Sequence, residues 1–171
     1  FTRSQTITAS IDDLIDGGYL MSESLANGDF ASGDLTDWTD DSSGWSVVSN
    51  GGGYALSHTP GSDGTLTQDV AGISGEVFVL QFTVTGVTTG FVEIYGSENL
   101  DYTADSNGTW RSIGYVASDP TTITIYVSSD FDGLITDVSL KQSGVGFPPT
   151  LFLVDANDNY NEIRVSNGSV F

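Results

Sequence analysis

Twenty-three Asp and Glu side chains, a single histidine (His58) and no cysteine define the chemistry open to this chain. With one histidine, a serine nucleophile with its base and a two-histidine metal site both lack parts. Without cysteine there is no thiolate nucleophile, no disulfide and no Cys-type zinc or iron–sulfur site. Carboxylate pairs remain a route to glycoside hydrolysis, but nothing marks one. Asp40 and Asp41 adjoin in a loop, Asp12 and Asp13 suit a helix start, and solvated surface charge is the simpler reading. His58, between Ser57 and Thr59 at a strand end, is expected at the rim with a local hydrogen bond. The chain reads as non-enzymatic.

Binding chemistry is better represented. A pyranose stacks its face on an aromatic ring while its hydroxyls seek convergent amides and carboxylates. Tyr95, Tyr115 and Tyr126 are expected to point away from the core, with Trp110, Gln81 and Glu93 as companions. Trp38, Trp45 and several phenylalanines are expected inside it. An outward tyrosine can also serve as a cross-strand packing element or a subunit contact, and those uses compete for the same rings.

The elements that must carry these residues are short strands. In Val77 to Thr85, Phe78, Leu80, Phe82 and Val84 share one face. In Thr121 to Val127, Ile123, Ile125 and Val127 point inward and Thr122, Thr124 and Tyr126 outward. Leu134, Thr136, Val138 and Leu140 are expected on one face, with Asp137 and Ser139 opposite. Further strands are predicted near Trp45 to Ser49, Tyr54 to Ser57, Thr65 to Val70, Phe91 to Tyr95 and Thr109 to Ala117. Strands without intervening helices imply an all-β, antiparallel two-sheet sandwich of the jelly-roll kind over residues 27–142.

The ends differ. Over residues 1–26, Ser10 and Asp13 resemble a capping box and Ile11, Leu14 and Ile15 form a stripe that Gly17-Gly18 stops, so a short helix is predicted. Residues 143–171 open with Phe147-Pro148-Pro149 and read as a hairpin, with strands Leu151 to Val154 and Tyr160 to Val165 and a final strand at Ser169 to Phe171. Asp155, Asn157 and Asn159 match the start of a calcium loop, but Tyr160 and Ser166 stand where its glycine and bidentate acid belong, so a plain turn is expected. Helix and hairpin are both too small to be stable alone and need a partner surface, either the sandwich itself or another chain, and burial on a neighbouring copy would anchor them. A start at Phe1 suggests processing or excision from a longer product.

Charge narrows the partners. Four Lys and Arg residues against 23 acids give a net charge of −19, which excludes nucleic acid and an anionic membrane surface. No apolar run approaches the roughly 18 residues needed for membrane insertion.

The succession Asn27-Gly28-Asp29-Phe30, Trp38, Trp45, Leu66-Thr67-Gln68-Asp69-Val70, Asn107-Gly108-Thr109-Trp110 and Phe131-Asp132-Gly133-Leu134-Ile135-Thr136-Asp137-Val138-Ser139-Leu140 resembles carbohydrate-binding modules of the family 4, 9 and 22 type. It also resembles the galactose-binding-like jelly rolls of bacteriophage tail, fibre and decoration proteins. The resemblance spans about residues 25–142 and is more specific for fold than for ligand. It implies a virion structural protein, a homo-oligomer with a trimer favoured, packed against other virion proteins and contacting a host glycan through many weak sites. The alternative is the carbohydrate-binding module of a secreted polysaccharide-degrading enzyme. No cofactor is required on this reading. The resemblance further implies a structural Ca2+ between first and last strands: Asp137 matches the closing-strand acid, whereas the other acid falls at Ala31, leaving Asp29 to serve.

Overall fold

The computed structural model describes residues 20–71, 76–96, 100–116, 121–143, 150–154, 160–166 and 169–170. The helix expected near Ser10 lies outside these residues, as does the turn at Asp155 to Asn159. Fourteen strands are described: β1 (Leu20–Glu23), β2 (Thr39–Asp40), β3 (Trp45–Asn50), β4 (Gly53–His58), β5 (Gly64–Val70), β6 (Glu76–Thr89), β7 (Val92–Tyr95), β8 (Asp101–Ala104), β9 (Gly108–Val116), β10 (Thr121–Val127), β11 (Asp132–Ser143), β12 (Thr150–Val154), β13 (Tyr160–Ser166) and β14 (Ser169–Val170).

Residues 22–142 form one compact unit, a sandwich of two antiparallel sheets. The six-stranded sheet runs β3-β4-β11-β6-β9, with β1 also paired to β11, and the five-stranded sheet runs β2-β5-β10-β7-β8. Period-two patterning explains the interior. Phe78, Leu80, Phe82 and Val84 of β6 meet Ile123, Ile125 and Val127 of β10, all fully buried, with Leu56, Leu66, Val92, Ile94 and Ile135 between them. One long edge is closed by aromatic contacts: Tyr102 of β8 stacks on Trp110 of β9 at 5.3 Å and lies edge-on to Phe82 at 6.2 Å. Within the six-stranded sheet, Trp45 of β3 meets its ladder partner His58 of β4 edge-on at 4.8 Å.

Strand β11 departs from the expected phase. Asp137 adopts φ +55°, and the ladder to β6 slips between Thr136 and Ser139, so one extra residue is accommodated. Ile135, Val138 and Leu140 are consequently the inward residues, and Leu134 and Thr136 stand opposite Thr85 and Thr83 on the outer face. Uninterrupted alternation, which would keep Leu134 and Thr136 on one face with Val138, cannot survive a left-handed residue in mid-strand.

The Asn27-Gly28-Asp29-Phe30 run is a scaffold element. Asn27 Nδ2 donates to the carbonyls of Asp34 (3.2 Å) and Thr36 (2.9 Å), its Oδ1 accepts from the Ser32 amide, and the Trp38 indole donates to its carbonyl at 3.2 Å. Phe30 is buried against Trp38, with ring centroids 6.0 Å apart. The buried amide of Gln68 ties β5 to the chain beyond β1, accepting from the Ala26 amide at 2.7 Å and donating to its carbonyl at 2.9 Å.

Residues 1–21 and 143–171 group as a second unit. Its described backbone is an antiparallel ladder in which β12 pairs β13, from Thr150↔Arg164 to Val154↔Tyr160, and β13 pairs β14.

Candidate glycan-binding face

The outer face of the five-stranded sheet carries a shallow depression lined by Glu93, Tyr95, Asp101 and Tyr126. Alternation places these side chains outward: Ile94, Ile125 and Val127 face the core, so Glu93, Tyr95 and Tyr126 face away. Register then brings them together, with Tyr126 directly opposite Glu93, Thr124 opposite Tyr95, and Tyr95 opposite Asp101. Phe91 extends the aromatic surface, its ring centroid 5.9 Å from that of Tyr126. Tyr95 is 37% exposed, one of two large hydrophobic side chains in the described residues that open so far to solvent. The Tyr126 phenol is held above its ordinary range, first by loss of solvent and then by its hydrogen bond to Asp63, with Glu93 and Tyr95 adding to the effect. It therefore remains a neutral donor. Ring faces bordered by carboxylate acceptors can stack a sugar and bind its hydroxyls.

The six residues singled out from sequence do not converge. Tyr95, Tyr126 and Glu93 share this depression, whereas Gln81 lies on the outer face of the other sheet, where its Oε1 accepts from Arg111 Nε at 2.8 Å. Trp110 faces inward, because its partner in the ladder is Phe82 and its neighbour Thr109 takes the outward position, hydroxyl to hydroxyl with Thr83. Its indole donates to the Ser106 carbonyl at 3.3 Å, so it is a seam residue between sheets and not a platform. Tyr115 pairs Val77 in the ladder, and its side chain lies outside the described residues. Phe91, Asp63 and Asp101 are additions that sequence reasoning missed. Asp101 sits on β8, a strand of four residues without a strong apolar alternation, and Asp63 belongs to a turn.

Asp29 and Asp137 do come together. Both line two adjoining clefts, one bordered by Tyr54, Asn50 and Thr136 and the other by Glu23, Gln81, Ser139 and Lys141. Asp29 Oδ1 already accepts the Ala31 amide at 3.1 Å. No group of three or more His, Cys, Asp or Glu side chains suited to a metal occurs among the described residues. Two carboxylates and the Asn50 side chain supply few of the six to eight oxygens calcium takes, so carbonyls and water would have to provide most of the shell.

His58 is not at the rim. It is 4% exposed, and among the described residues neither ring nitrogen, nor Nε1 of Trp45 beside it, meets a partner in full hydrogen-bond geometry. Gly64 makes room for it, since a Cβ there would come within 2.5 Å of the imidazole.

No family model matches the sequence, and no curated protein matches it. Solved structures do match. A family 61 carbohydrate-binding module determined in complex with β-1,4-galactotriose aligns with a TM-score of 0.56 at 18% identity, over 71% of this chain and 99% of that one. The CBM22-1 xylan-binding domain of Paenibacillus barcinonensis Xyn10C aligns with a TM-score of 0.53 at 12% identity, over 73% and 97%. The enzymatically active domain of bacteriophage CBA120 tailspike protein 4 aligns with a TM-score of 0.56 at 19% identity, over 70% of this chain but 21% of that one. Residues 22–142 are thus a carbohydrate-binding-module-like jelly roll. The likeness is one of fold.

Proposed function

We propose that this chain is a non-enzymatic virion component of a bacteriophage, in a fibre, tail or capsid decoration, whose jelly roll contacts host glycans through the outer face of the five-stranded sheet. The observation that carries the binding role is the depression where Tyr95 and Tyr126 border Glu93 and Asp101. The tailspike domain that shares the fold supports a place on a virion. Sites this open bind weakly, and repeated copies, a trimer being favoured, raise avidity without new contacts.

A second reading, the binding module of a secreted polysaccharide-degrading enzyme, is favoured by a different observation: this fold covers nearly the whole of the matched modules, 99% and 97% of their chains. Light scattering separates the two, a trimer or larger assembly supporting the virion role and a monomer that binds insoluble polysaccharide supporting the other. The glycan role is tested by a glycan panel with Tyr95→Ala and Tyr126→Ala. Binding that both substitutions abolish supports it; binding that neither affects overturns it, as does a panel without any binding. Turnover of a glycan would overturn the non-enzymatic assignment.

A further inference from the structure

We infer that this face selects glycans that carry free, protonated amino groups over their N-acetylated, neutral or acidic counterparts. The inference rests on the glycan-binding reading above and adds the chemical class of the ligand.

Positive charge in the sandwich is confined to one side. Within residues 22–142 the Lys and Arg side chains are Arg111 and Lys141, both on the six-stranded sheet, where Arg111 bonds Gln81 and Lys141 borders a cleft with Glu23. The depression on the other sheet has Glu93 and Asp101 in its lining and Asp63 at the Tyr126 hydroxyl. The negative faces of two tyrosine rings add to the same field, and a ring face attracts a cation.

Several acids elsewhere on the surface are held by nearby hydroxyls: Asp69 accepts from Thr122, Asp41 from Thr67, Asp132 from Thr88, and Asp130 from Thr89 and Ser128. The two lining carboxylates are not among them. No hydrogen bond or ion pair reaches the Glu93 or Asp101 side chain among the described residues. They are acceptors with open lone pairs beside a stacking surface. An ammonium substituent on a pyranose keeps the face that stacks and brings three donors and a positive charge to those acceptors. An acetamide removes the charge and two of the donors. A uronate, sulfate or sialate brings like charge to a chain already at −19, and is repelled.

The test is titration calorimetry at low salt in mildly acidic buffer with a glucosamine hexasaccharide, its N-acetylated form, a neutral glucan of equal length and polygalacturonate. The free-amine chain is expected to bind about tenfold more tightly than its acetylated form, with the gap closing as salt rises. Combining Glu93→Gln with Asp101→Asn should close the gap while binding of the neutral chain persists. Asp37→Asn, in the loop before β2 at a φ of 70° that asparagine tolerates, makes one such charge change elsewhere and should leave the gap intact. Equal affinity for both hexasaccharides would overturn the inference while leaving the glycan role standing. So would a gap that Asp37→Asn closes as well, or a lysine peptide that binds equally and ignores Tyr95→Ala, since either outcome means diffuse attraction. Failure of every oligosaccharide to bind would remove the glycan role and this inference together.

Discussion

Gly28 and Val138 are joined at closest approach: the Val138 amide donates to the Gly28 carbonyl at 2.9 Å, and a Cβ on residue 28 would overlap the carbonyl of Val138. The contact clamps the bulge of β11 against the chain leaving β1, and it explains why glycine follows Asn27. Gly28→Ala is expected to lower stability by about 3 kcal/mol, because backbone on both sides would have to move. Gly53→Ala, where the nearest atom to a new Cβ is 3.8 Å away, should change stability by less than about 1 kcal/mol. Urea unfolding of both variants checks the contrast.

Glu23 fastens the same corner. Its Oε1 accepts the amides of Ser24 (3.1 Å), Leu25 (3.3 Å) and Leu140 (2.6 Å), and its Oε2 accepts the Ser139 hydroxyl at 2.6 Å. Every partner is a donor. Glu23→Gln sets a donating amide against one of them and should cost about 1–2 kcal/mol in chemical denaturation, with Glu23→Ala at least as damaging.

His58 makes stability depend on pH. Lost solvation holds its imidazole below the ordinary value, opposed in part by Asp40, the Ser43 backbone and Asp63. In the unfolded chain it titrates near 6.5, so as pH falls through that value the unfolded state takes a proton that the folded state refuses. Stability is therefore retained above 6.5 and declines below it, by at most about 1.4 kcal/mol per pH unit for one proton, until the folded-state value is reached. His58→Leu should flatten this limb in thermal melts followed across that range. A limb unchanged in the variant would assign the dependence to another group.

Calcium should matter little to the fold. Asp29 Oδ1 accepts the Ala31 amide, and of the two further carboxylates in the clefts it lines, Asp137 and Glu23, the second is already engaged by four donors. Melts in millimolar calcium and in chelator are expected to agree within about 1 °C, well short of what a saturated native-state site contributes.

Legibility in the sequence followed the regularity of the backbone. Over Val77 to Thr85 of β6 and along β10 the core-facing residues alternate and could be read directly, and the outward tyrosine of the candidate site, Tyr126, came with them; Val79 and Thr124, read as outward, are nevertheless buried. β11 could not be read that way, because a left-handed Asp137 shifts every later side chain and nothing in its residue type announces the slip. β1, β2 and β8 were missed for brevity: strands of two to four residues take their stability from partners and show no periodicity of their own. Grouping Gln81 and Trp110 with the tyrosines failed for another reason, since which sheet a strand joins is a long-range property that local pattern does not contain. The burial of His58 was hidden likewise, as the space it fills is provided by Gly64 on the opposite sheet.

Strand β11 serves β4, β6 and β1 together, and through Glu23 and Leu140 it joins positions 117 apart in the chain. On the ribosome, β4 and β6 must wait with their facing backbone edges unpaired until β11 emerges, because the strand that separates them is made after both. Such late closure over a long loop predicts slow, cooperative folding. A chain halted before residue 132 would expose unpaired edges to its neighbours, and the mutual repulsion of such acidic chains, from a sequence of net charge −19, opposes their association.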